Sequence, residues 1–68
     1  MPVHLGTVTA FDQARGLGEV TGADEAWPFH CTAIADGSRS IPVGARVAFD
    51  LVPGHLGRDE ATCLVLLV

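Results

Sequence analysis

GTVTAFDQARGLGEVT, residues Gly6 to Thr21, decides how this chain is read. Up to Phe11 it is dense in threonine and valine, residues that suit a pleated strand. DQARG (Asp12 to Gly16) is a polar turn, and LGEVT (Leu17 to Thr21) resumes as a second, shorter strand. The two glycines of GLGEV are too few and wrongly spaced to cradle a nucleotide phosphate. They fit a turn exit at Gly16 and, at Gly18, a place where a larger side chain would crowd the sheet.

Outward from this hairpin the chain keeps breaking into short β-forming runs. VHLGTVTAF (Val3 to Phe11) extends the first strand towards the N-terminus. AWPFHC (Ala26 to Cys31) alternates Trp27 and Phe29 against Pro28 and His30, and its proline, lacking an N–H, belongs on a sheet edge. TAIADGSRSIPVG (Thr32 to Gly44) is a long loop in which TAIA suits a single helical turn. ARVAFDLV (Ala45 to Val52) sets Val47, Phe49 and Leu51 against Arg46, Ala48 and Asp50, a half-buried strand. PGHLGRDE (Pro53 to Glu60) is a loop, and ATCLVLLV (Ala61 to Val68) is the fifth strand. Five short antiparallel strands predict an all-β fold, either a small closed barrel or an open sandwich. Closure leaves fewer unpaired edges and wraps one core around Val8, Val20, Trp27, Phe29, Val47, Phe49 and Cys63.

At 68 residues the chain, residues 1–68, is expected to be a single domain without room for a catalytic one. Its four cations are Arg15, Arg39, Arg46 and Arg58, with no lysine, and eight carboxylates bring the formal net charge to −4. That sign opposes a polyanion, whose affinity for proteins comes largely from counterions released by Lys and Arg. No run approaches the ~18 apolar residues of a membrane helix, and MPVHLGTV lacks a basic region before an apolar core, so the expectation is a cytoplasmic protein without membrane contact. Cys31 and Cys63 are expected to be buried free thiols. With His4, His30 and His55 they lack the paired spacing of a metal site, so no metal or other cofactor is expected.

In order, GTVTAFDQARGLGEVT, WPFHCTAI, DGSRSIPVGARVAFDLV and the ATC strand resemble the cold-shock domain, from Gly6 to about Leu66. The resemblance implies a five-stranded antiparallel OB-fold barrel that binds single-stranded RNA and DNA. In that family aromatic rings on the first three strands stack on bases and lysines meet the phosphates. Here the family's lysine and tryptophan of the first motif are Thr9 and Ala10, and Phe11 is kept. The two phenylalanines of the second motif are Leu17 and Glu19, between matching Arg15, Gly16 and Gly18. In the third motif Pro28 and Cys31 replace phenylalanines around a retained His30, and in the long loop Ser38 replaces another, followed by Arg39. What the resemblance leaves of a nucleic-acid site is Phe11, Arg15, Leu17, His30 and Arg39.

Scaffold residues match and contact residues do not, which random decay would not sort so cleanly. Stacking on an aromatic is worth about 1–3 kcal/mol per base, so four lost platforms at the low end amount to about 4 kcal/mol, near a thousandfold in affinity. Glu19 adds a carboxylate where a polyanion would lie. The expected function is a non-enzymatic module with weak or lost nucleic-acid binding and a protein-interaction role; the alternative is a single-strand binder of relaxed affinity. CLVLLV, Cys63 to Val68, is apolar on both faces, which marks Leu64, Val65 and Leu67 as an interaction surface for a protein partner or a second copy of the chain.

Overall fold

The computed structural model describes residues 4–35, 37, 40–54 and 57–67. Its strands are β1 (His4–Asp12), β2 (Leu17–Thr21), β3 (Ala26–His30), β4 (Arg46–Pro53) and β5 (Asp59–Leu66), with a short 3-10 helix over Cys31–Ala33. All pair antiparallel in one sheet of order β3-β2-β1-β4-β5. The hairpin read from Gly6 to Thr21 is present, and TAIA does hold part of a single helical turn. The last loop is shorter than the sequence implies, because Val52 still pairs with Glu60 and Pro53 with Asp59.

The sheet curls until its two edges, β3 and β5, approach each other without a ladder between them. The segment after the 3-10 helix bridges that seam. Ile34 makes an isolated parallel bridge to Leu64, and the Ala35 N–H donates to the Leu64 carbonyl at 2.8 Å. Pro28 lies on β3, an edge of the hydrogen-bonded order, as a residue without an N–H should. The interior holds Val8, Val20, Phe29, Ile34, Ile41, Val47, Phe49, Ala61 and Leu64, with Phe11, Trp27 and Leu51 packed against it.

Two bulges set which residues reach that interior. On β1, Val8 faces Val20 but Ala10 faces Glu19, so Thr9 is the extra residue. Thr9 and Ala10 both point outward, and Phe11 turns in. On β5, Ala48 faces Val65 but Asp50 faces Thr62, so Cys63 and Leu64 together oppose Phe49. Cys63 takes the left-handed backbone, at φ 53°, that a bulge of this kind requires.

The second bulge overturns two expectations, for Cys63 and for Leu64. Strict alternation puts Cys63 inside with Ala61, whereas the extra residue leaves Cys63 exposed and sends Leu64 into the core, 1% exposed. Leu64 is therefore core and not interaction surface. Cys31 is half-buried, not buried, with its sulfur beside Gly16. Ile41, assigned to the loop, is a core residue. Trp27 is half-buried and tilts onto Phe49 (centroids 5.5 Å) and His4 (5.9 Å). Room for its ring comes from Gly22, where a Cβ would stand 2.9 Å from the indole.

Candidate nucleic-acid interface

Cross-strand register sorts β1, β2 and β3 into rows. Phe11, Gly18 and Phe29 form an inner row; Ala10, Glu19 and Pro28 form an outer one, and Asp12, Leu17 and His30 another. In the inner row Phe11 stacks on Phe29 with centroids 6.0 Å apart. Gly18 lies between them in the ladder, and a Cβ there would meet Phe29 Cζ at 2.4 Å. Gly16 turns the chain into β2 at φ 69°, a left-handed conformation that glycine adopts without strain. Its carbonyl accepts the Cys31 N–H at 2.7 Å, which ties the turn to the end of β3.

The outer rows carry what a ligand would meet. Leu17 is 47% exposed, Glu19 and His30 are exposed, and Pro28 is half-buried. Glu19 stands directly between Ala10 and Pro28, a carboxylate at the centre of a row that contains no aromatic ring. His30 is fixed as well as exposed. The Thr32 N–H donates to His30 Nδ1 at 3.3 Å, capping the 3-10 helix, and Thr32 Oγ1 lies 3.0 Å from the same nitrogen. With Nδ1 accepting, the neutral imidazole carries its proton on Nε2. Thr32 thus holds His30 through Nδ1.

Of the residues assigned to nucleic acid, Leu17 and His30 are cross-strand neighbours on the outer face. Arg15 is exposed on the β1–β2 turn, where its N–H donates to Asp12 Oδ1 at 3.2 Å. Phe11 departs from the set, because the Thr9 bulge turns its ring towards Phe29 and leaves it half-buried. Arg39 lies outside the described residues. On β5, Val65 (50%) and Leu67 (43%) are exposed as expected.

Two residues of this surface escape a reading of the chain strand by strand. Glu60, on β5, joins Leu17, Pro28, Phe29 and His30 around a cleft of about 330 Å³ at the open seam. Leu5, 58% exposed, faces Ala48, which faces Val65, so an apolar row crosses β1, β4 and β5. The alternation of Leu5 with inward Gly6 and Val8 signals its orientation in the sequence. The nearness of Glu60 to β3 depends on how the sheet curls. Among the described residues no three of His, Cys, Asp and Glu come together as a metal-binding group.

No family model and no curated protein matches this chain. Among solved structures, Drosophila Unr CSD456 superposes on it with a TM-score of 0.81, covering 98% of this chain. The chain has the cold-shock-domain fold. Sequence identity to that structure is 23%, so the likeness is one of fold, and the chain spans 27% of the other's length. The β1–β3 outer face of that fold carries Ala10, Leu17, Glu19 and Pro28.

Proposed function

We propose that this chain is a non-enzymatic module that uses the cold-shock-domain fold to contact protein, and that its β1–β3 face holds single-stranded nucleic acid weakly or not at all. The observation that carries this reading is the outer row Ala10, Glu19 and Pro28. It offers no π-face to a base and places an exposed carboxylate against any phosphate backbone laid over it. The apolar row Leu5, Ala48 and Val65 supports contact with protein, a second copy included, since a small domain has little reason to expose aligned apolar side chains on one face.

The test is fluorescence anisotropy of labelled oligo-dT and a mixed-sequence RNA at low salt, with wild type and with Ala10→Trp/Glu19→Phe. Wild type should leave both probes free to high micromolar concentration, and the double variant should bind. Low-micromolar binding by wild type with a steep salt slope would refute the proposal. It would favour a second reading, a single-strand binder of relaxed affinity, for which the exposed pair Leu17 and His30, with Arg15 exposed on the adjoining turn, speaks.

A further inference from the structure

We infer that the cleft between β3 and β5 is a docking site for an apolar side chain flanked by arginine or lysine in a partner protein. This rests on the protein-contact reading above and adds the place and the chemistry of the partner.

The floor and walls are exposed Leu17, half-buried Pro28 and the little of Phe29 that reaches the surface, beside the β3 edge that no ladder covers. At about 330 Å³ the cleft falls at the lower end of the ~300–1,000 Å³ typical of small-ligand sites, which suits an inserted side chain. An apolar group entering it removes apolar surface on both sides from water.

Charge decides what must flank that group. Glu60 forms part of the lining, Glu19 is the direct cross-strand neighbour of Pro28, and Asp12 is that of Leu17. One carboxylate thus lies in the lining and two more stand one strand away from lining residues, in a chain of net charge −4. A polyanion is repelled by this rim, whereas a guanidinium or ammonium beside the inserted side chain meets an opposite charge at the mouth. His30 adds orientation. Its Nδ1 is occupied by Thr32, so Nε2–H is the donor left for a partner's backbone carbonyl.

The experiment titrates isotope-labelled full chain with short synthetic peptides that carry leucine, isoleucine, phenylalanine or methionine at the centre, flanked by arginine, serine or glutamate. Oligo-dT is the parallel probe, and backbone amide shifts are followed by NMR. Arginine-flanked peptides should shift Leu17, Phe29, His30 and Glu60 and bind more tightly than their glutamate counterparts. Glu19→Gln/Glu60→Gln should weaken them by about two- to tenfold, and Glu60→Arg should turn the preference towards the glutamate-flanked set; both variants alter exposed Glu19 or half-buried Glu60, outside the core. Equal affinity for the arginine and glutamate sets, shifts confined to the Leu5, Ala48 and Val65 row, or no shifts at all would overturn the inference while leaving the broader reading in place. Tight, salt-sensitive binding of oligo-dT at the cleft, with the peptides inert, would overturn both.

Discussion

Phe11 and Phe29 lie with their rings 10° from parallel and 6.0 Å apart, on either side of Gly18 in the β1–β2–β3 ladder. The missing side chain of Gly18 is what lets Phe29 occupy that space, since a Cβ would stand 2.4 Å from Cζ, 2.7 Å from Cε1 and 2.9 Å from the Ala10 carbonyl. Gly18→Ala therefore overpacks a contact made partly with backbone, which cannot rotate away. It should cost about 1–3 kcal/mol in urea denaturation. Leu17→Ala, one residue earlier on the exposed face, should change stability by less than about 0.5 kcal/mol. Equal midpoints for the two variants would show that Gly18 is not under this constraint.

Phe49 is the ring on which the opposite end of the interior is built. It is 2% exposed, stacks on His4 at 5.7 Å, and takes Trp27 at 5.5 Å. Phe49→Ala should cost about 3–5 kcal/mol, a large part of the stability of a domain this small. A loss below about 1 kcal/mol in urea would remove Phe49 from the core, whereas Val52→Ala, on the exposed end of the same strand, should stay within about 0.5 kcal/mol.

Why Phe49 was legible in the sequence and Cys63 was not is a matter of what alternation can report. The bulge opposite Phe49 places its extra residue on β5, so β4 keeps its period of two, which assigns the faces of Val47, Phe49 and Leu51 correctly. A bulge adds a residue that nothing in ATCLVLLV announces: apolar residues fill both faces there, and the residue at φ 53° is a cysteine where a glycine would have given the sign. At Thr9, likewise, one extra residue turns Phe11 from the outer face to the inner row. Leu17, Glu19 and His30 were placed correctly because LGEVT and AWPFH pair without a shift. Glu60 enters the cleft only through the approach of β3 to β5, a long-range relation that no local pattern encodes.

Cys63 pays for its place in the bulge with backbone strain, because a left-handed L-residue costs roughly 1–2 kcal/mol. Glycine removes that strain but gives back part of it through a freer unfolded chain. Cys63→Gly should therefore raise stability by about 0.5–1 kcal/mol, and Cys63→Val, branched at Cβ, should lower it. The exposed thiol gives a second readout. Ellman's reagent should label Cys63 in the native protein faster than half-buried Cys31, and similar rates for both would contradict the bulge.

Leu64 and Val65 are neighbours in the chain with opposite fates, and a single substitution at each separates folding from association. Leu64 is core, 1% exposed, and its carbonyl holds the Ala35 N–H across the seam. Leu64→Lys should unfold the domain, since a charge there would have neither water nor a partner. Val65 is half-exposed and aligned with Ala48 and Leu5 on the outer face, while Leu67 donates its N–H to the Arg46 carbonyl one row further on. A lysine at that surface costs the fold little. If this row joins two copies about a two-fold axis, it brings Val65 and Leu5 of one chain against the same residues of the other, so one substitution acts twice in the interface. Val65→Lys should keep the wild-type β-sheet circular dichroism and urea midpoint, yet convert a concentration-dependent dimer into a monomer by analytical ultracentrifugation. A wild type that sediments as a monomer at millimolar concentration would rule out self-association through this face and leave it to a different protein.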